Sequence, residues 1–225
     1  MSGLLPFLYK EYASVPYFRY QHRKEHTMMR YLLKAVVCAL VISCLMSMTG
    51  FYGACDDIRE EVLRLHILAN SDSEEDQALK LRVRDALLVK ADELFRGCEC
   101  KADSIEQAKK HMDELKRTAQ QVIREEGHDE PVEVCLTRMP FQTRVYENFS
   151  LPAGEYDALR VVIGKGEGHN WWCVLFPALC LPSGGSRELE GVMSAGEEEI
   201  VCESDRFEVR FMLVEWWEGI CSWFR

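Results

Sequence analysis

Between Tyr31 and Cys55 the chain is apolar or small at every position except Lys34. Crossing a bilayer takes roughly 20 mostly apolar residues, so Ala35 to Ala54 is long enough. From Glu61 to Ala69 the pattern turns to alternation, with Leu63, Leu65 and Ile67 set against Arg64 and His66. That is the period of a strand with one buried face. Glu74 to Phe95 then places Leu79, Val83, Leu87, Ala91 and Phe95 four residues apart, the stripe of an amphipathic helix. Ser71 or Ser73 suits its N-cap, Ser71-x-x-Glu74 fits a capping box, and Glu74, Glu75 and Asp76 lie where the helix dipole favours acids. Gly97 stops it. Ile105, Ala108, Met112, Leu115, Ala119 and Val122 step by three and four, which predicts a second helix from Ser104 to about Glu126, capped by Asp103 and closed by Gly127. The two helices make a hairpin.

After Gly127 the period returns to two. Val132 to Thr137 alternates and predicts a strand, and Arg138 to Pro152 reads as a turn-rich connection. Tyr156 to Ile163 and Trp171 to Phe176 are β-branched or aromatic runs. The loop Gly164-Lys165-Gly166-Glu167-Gly168-His169-Asn170 between them predicts an antiparallel hairpin. Leu181 to Glu199 is rich in Gly, Ser and acids and reads as a loop. Asp205 to Trp217 fits two periods, and a strand with a short helical tail is expected. The sum is α+β: an N-terminal membrane or signal helix, then an antiparallel or mixed sheet covered by a helical hairpin. No internal repeat appears.

Charge decides the side of the membrane. Six basic residues and two acids precede Ala35, and positive flanks stay cytoplasmic, so residues 56–225 are expected outside the cytoplasm. The apolar run can be an uncleaved anchor, a cleaved signal peptide with Met29 to Lys34 as its basic start, or a lipidation signal ending at Cys55. Residues 1–28 are aromatic-rich without a helical or strand period. They read as an extension, with Met29 as the expected start. The division is therefore 1–28, 29–55 and an exported domain 56–225. The whole chain holds 37 acids and 27 bases, so the part after Lys34 carries a net −14, which argues against nucleic acid and anionic lipid as partners. Of ten cysteines, eight lie from Cys55 on. Export permits disulfides, but the spacing does not assign pairs.

Candidate chemistry is sparse. Gly164-Lys165-Gly166-Glu167-Gly168 precedes a Trp-Trp strand where a phosphate cradle needs a helix. Asn70 to Asp76 is oxygen-rich but lacks EF-hand spacing, and capping explains all of it except Asn70, which can order the loop or face a partner. Cys98-x-Cys100 with His111 lacks zinc spacing, and Asn148-Phe149-Ser150 is a formal glycosylation sequon. No nucleophile or metalloprotease motif occurs, so no catalytic residue, metal or cofactor is assigned. Trp171 and Trp172 are neighbours in a strand and point to opposite faces. One belongs to the core; the other meets a second layer or stands exposed as an interface anchor.

Three blocks carry a resemblance. They are Leu65-His66-Ile67-Leu68-Ala69-Asn70-Ser71-Asp72-Ser73 with Asp76 to Asp85, Pro152-Ala153-Gly154-Glu155-Tyr156 running on to Gly164, and Gly168-x-Asn170-Trp171-Trp172-Cys173-Val174-Leu175-Phe176-Pro177 with Leu179-Cys180. Together with Arg138-x-Pro140-Phe141-x-Thr143-Arg144-x-Tyr146 they resemble the stage II sporulation protein R family. That resemblance implies a protein made in the forespore of an endospore former and exported into the space between the two membranes. There it would trigger a membrane-embedded aspartic protease that processes pro-sigma-E in the mother cell. It implies a signal and not an enzyme; the alternative is an envelope hydrolase of cell-wall material acting indirectly. The expected contact residues are Asn70, Ser71, Asp72, Arg144, Lys165, His169, Asn170, Trp171 and Trp172.

Overall fold

The computed structural model describes residues 15–146, 149–180 and 192–223, with side chains from Met28 on except those of 204, 205 and 222. The sequon's Asn148 and the start of the Gly/Ser-rich segment lie outside them. Two compact units meet in sequence between Gly50 and Phe51. In the first, helix α1 (Val15–Glu61) begins inside the segment read as aperiodic, with Pro16 in its first turn, where a missing N–H is harmless. Residues 31–50 are almost wholly exposed. At 1.5 Å per residue they rise about 30 Å, the thickness of a bilayer core. The apolar helix is thus long enough to cross a membrane.

The second unit contains the last turns of α1, followed by β1 (Leu63–Leu68), α2 (Glu74–Phe95), α3 (Lys101–Lys110) and α4 (Met112–Glu125). Then come β2 (Val132–Phe141), the short pair β3 (Arg144–Val145) and β4 (Ser150–Leu151), β5 (Gly154–Ile163) and β6 (Asn170–Phe176). Helix α5 (Ala195–Cys202), a 3-10 turn (Ser204–Phe207) and α6 (Glu208–Trp223) end the described chain. The mixed four-stranded sheet has the order β2-β5-β1-β6. β1 runs parallel to β5 and antiparallel to β6.

This order corrects the expected hairpin. β5 and β6 are not neighbours, because β1 is inserted between them and the 164–169 loop passes over its end. Three more expectations change. The second helix is broken at His111 into α3 and α4, at a site with no Gly or Pro to announce it, and Cys100 rather than Asp103 occupies the N-cap position. β2 continues to Phe141 through Pro140, which is possible because β2 is an edge strand and proline has no N–H to miss there. Residues 195–202 and 208–223 are helical, the latter burying Phe211 and Val214 while Val209, which a strand would have turned to the same side as Phe211, is exposed.

The α2 stripe packs as its spacing requires, with Leu79, Val83, Leu87, Ala91 and Phe95 buried against Leu65, Ile67, Leu159 and Val161 of the sheet. A second core forms on the opposite sheet face from Phe51, Cys55, Ile58, Tyr156, Ala158, Val174, Phe211 and Val214. β1 is therefore covered on both faces, and Arg64 and His66 are buried instead of exposed. Cys173 and Cys180 are disulfide-bonded, and the peptide bond Phe176–Pro177 is cis.

Candidate functional site

The second core covers only one end of its sheet face. Toward the other end a row of paired residues crosses all four strands: Cys135 beside Arg160, Arg160 beside His66, His66 beside Trp172. Cys135, Arg160 and Trp172 are half-buried, and His66 is buried among them. The Trp172 ring lies flat on His66 at 3.9 Å and meets Phe141 edge-on at 4.7 Å. The exposed Arg144 guanidinium stands 5.7 Å from the Trp172 ring centre. Beneath them the Arg64 guanidinium lies against the rings of both Phe141 (4.4 Å) and Tyr156 (5.0 Å) and donates to Cys173 O (3.2 Å) and Tyr146 Oη (2.9 Å). Tyr146 Oη in turn donates to Trp172 O at 3.3 Å. A groove of about 710 Å³ runs beside this row, lined by Phe141, Gln142, Arg144, Glu155, Asn170 and Trp172 from the sheet side and by Glu215 and Glu218 from α6.

Burial holds the His66 ring pKa below the ordinary histidine value. Its hydrogen bond to Asn170 works against that shift, and the Arg160 charge adds to it. His66 Nε2 pairs with Asn170 Oδ1 at 3.0 Å, and Nδ1 has no hydrogen-bond partner among the described residues. The arrangement offers an aromatic platform with cations at its edge, a surface for binding more than for bond-breaking.

The sequence-predicted contact residues fall in three places. Asn170, Trp172 and Arg144 gather on the uncovered face. Trp171 points the other way, packs against the first core and carries the Arg84 guanidinium 4.4 Å over its ring. Asn70, Ser71, Asp72, Lys165 and His169 form a clasp at the end of β1. Asn70 Oδ1 accepts from Lys165 N (3.1 Å), its Nδ2 donates to Asp76 Oδ2 (3.0 Å), and its carbonyl accepts from Glu167 N (3.2 Å). Asp72 Oδ1 accepts from the backbone N–H of His169 at 2.6 Å and pairs with its ring Nδ1 at 2.5 Å. Lys80, buried, donates to His169 O at 2.8 Å. Ser73 is the N-cap of α2, accepting from Asp76 N.

The glycines of the 164–168 loop serve this clasp. Gly164 has φ +58° and abuts the Asn70 side chain, and a Cβ on Gly168 would strike the Ser71 carbonyl. Phosphate geometry is not what places them. Asp76, His128 and Glu130 offer ligand atoms within 4.8 Å of one another. Asp76 Oδ2 already accepts from Ser71 and Asn70, so the group reads as a joint between α2 and the approach to β2. His111 is paired with Glu114 at 2.9 Å.

The profile of the family "Stage II sporulation protein R (spore_II_R)" matches residues 59–184, more than half of the chain and every strand of both sheets. The chain belongs to the stage II sporulation protein R family. The stage II sporulation protein R of Bacillus subtilis (strain 168) is 35% identical over 191 residues, covering 73% of this chain and 84% of that protein. No solved structure gives a significant match. The clasp, the aromatic row and Arg144 all lie inside the family-matched residues, whereas α5 and α6 lie beyond them. Reading the sequence missed Cys135, Phe141, Tyr146 and Arg160 as site residues. Arg160 had a signal: a cation in the middle of the apolar run Tyr156 to Ile163 must face away from the first core.

Proposed function

We propose that this sporulation protein is an exported signal. On this reading the second unit acts beyond the membrane of the cell that makes it, in the space between forespore and mother cell. There it binds a membrane-embedded aspartic protease and promotes processing of pro-sigma-E. The observation that carries the binding half is the partly uncovered sheet face, where half-buried Trp172, backed by the buried Phe141 ring, stands with Arg144 at its edge and Arg160 in the same row, on a chain that is otherwise acidic. Tryptophan and arginine dominate interface energetics, and an aromatic platform that is already stacked loses little entropy on docking. To activate, the surface must favour the protease's active state; equal affinity for both states would shift nothing.

The test is co-expression of the chain with the protease and its pro-sigma-E substrate in a non-sporulating host, scoring cleavage. Trp172→Asp and Arg144→Glu are expected to abolish cleavage while circular dichroism stays unchanged. Normal cleavage with both folded variants would remove the proposal. One observation favours the hydrolase alternative, the His169–Asp72 pair, a histidine hydrogen-bonded to a carboxylate. It is exposed, and Asp72 also takes the backbone N–H of His169, as a clasp does. His169→Ala that spares cleavage of pro-sigma-E, with no release of fragments from cell-wall material by the purified chain, sets that alternative aside.

A further inference from the structure

Helix α6 presents an apolar face that nothing in the described chain covers. Phe211 and Val214 enter the second core. Val209 (70% exposed), Met212 (64%), Trp216 (67%) and Trp223 (90%) are turned away from it, with Leu213 and Trp217 beside them. At 100° per residue these six fall within an arc of roughly 140°, and none of Glu208, Arg210, Glu215 and Glu218 falls inside that arc. Contiguous exposed apolar surface of this kind marks a contact.

What lies near α6 is set by covalent connection. Phe51 directly follows the exposed apolar residues of α1, and it packs on Phe207 at 5.6 Å and on Phe211 at 5.5 Å. Arg210 stands over the Phe51 ring at 5.6 Å, and Tyr52 donates to Glu218 at 2.6 Å. The start and the third turn of α6 are thus bound to the residues by which the chain leaves the apolar segment. A helix held there, with three tryptophans on its free face, has the composition of an interfacial helix, since tryptophan favours the boundary between headgroups and acyl chains.

We infer that α6 lies in the surface of the bilayer that α1 enters, with its Trp216, Trp217 and Trp223 side at the headgroup–acyl boundary. This rests on reading α1 as a retained membrane anchor. With three acids and one base among its described charged residues, α6 gains nothing from anionic lipid, so the attachment works through apolar area and is indifferent to lipid charge. The face would hold the second unit close against the membrane and restrict its orientation, which is useful to a protein whose proposed target is itself embedded in a membrane.

The full chain, reconstituted into phosphatidylcholine vesicles, tests this by quenching of tryptophan emission with brominated phosphatidylcholine. Three of its five tryptophans lie on the face, so bromolipid is expected to remove much of the emission, equally with and without added phosphatidylglycerol. In the variant Trp216→Phe, Trp217→Phe, Trp223→Phe the remaining emission is expected to be insensitive to bromolipid. Unquenched wild-type emission from chains that resist a carbonate wash overturns the placement of α6 and leaves the anchor standing. The same holds if the triple variant is quenched as strongly as wild type, or if the face proves to join two copies of the chain. Release of the chain by carbonate removes the anchor reading, and the inference with it.

Discussion

His66 is a buried imidazole stacked on Trp172, and burial lowers its pKa. In the unfolded chain the ring takes up its proton near pH 6.5; in the folded chain it does so only at lower pH. The unfolded state therefore binds more protons in that window, and stability falls as pH drops below about 6.5, levelling off beneath the folded pKa. His66→Phe keeps a ring on Trp172 and removes the proton. Urea midpoints measured from pH 7 to pH 5 should decline less in this variant than in wild type; equal slopes would show that His66 does not carry the effect. The two tryptophans separate at the same scale. Trp171→Ala opens a gap under Arg84 beside the first core and should destabilise by about 3 kcal/mol. Trp172→Asp is expected to act on signalling, read as cleavage of pro-sigma-E.

At the scale of elements the 164–169 loop is a clasp and not a hairpin tip. It carries the chain across the end of β1, and hydrogen bonds from Asn70 and Asp72 hold it there. Gly168→Ala drives a Cβ into the Ser71 carbonyl and should cost roughly 1–3 kcal/mol, seen as a lower melting temperature with the sheet otherwise preserved. An unchanged melting temperature would show that the loop can move aside freely. The end of α1 is equally built in. Phe51, Cys55 and Ile58 belong to the second core, and Arg59 is buried with a hydrogen bond to Ala153 O. Phe51→Ala is expected to cost about 3–5 kcal/mol. A chain beginning at Cys55 loses the same ring, so it should melt lower than one beginning at Phe51. Equal melting would mean that the ring is dispensable to the fold.

For the whole molecule, charge and surface work at different ranges. The net −14 after Lys34 favours solubility of the globule, while Arg144 stands as a local cation on a groove that also carries Glu155, Glu215 and Glu218. A partner that reads Arg144 must offer it an acidic group. At physiological ionic strength the screening length is about 8 Å, so added salt should slow capture of the protease more than it weakens the finished contact. Surface plasmon resonance with the detergent-solubilised protease can check this: the association rate is expected to fall with salt, and a salt-independent rate would remove the electrostatic role.

The sequence by itself determined the apolar segment, the α+β class, the bounds of α2 and the Leu63, Leu65 and Ile67 side of β1. Each of these is written as a local period, and a period reports which side chains one face must hide. Its blocks also carried the family, because order and identity along a chain survive without knowledge of contacts. The tertiary structure alone decided that β1 enters between β5 and β6, that β1 is covered on both faces, that the row from Cys135 to Trp172 exists, and that α6 is a helix with a bare apolar side. These depend on contacts between residues far apart in the chain, and such pairings leave no local pattern. Arg64 and His66 show why: in a strand read alone they alternate as the outward residues, and only the layer formed by the end of α1 and by α6 turns that outside into a second core.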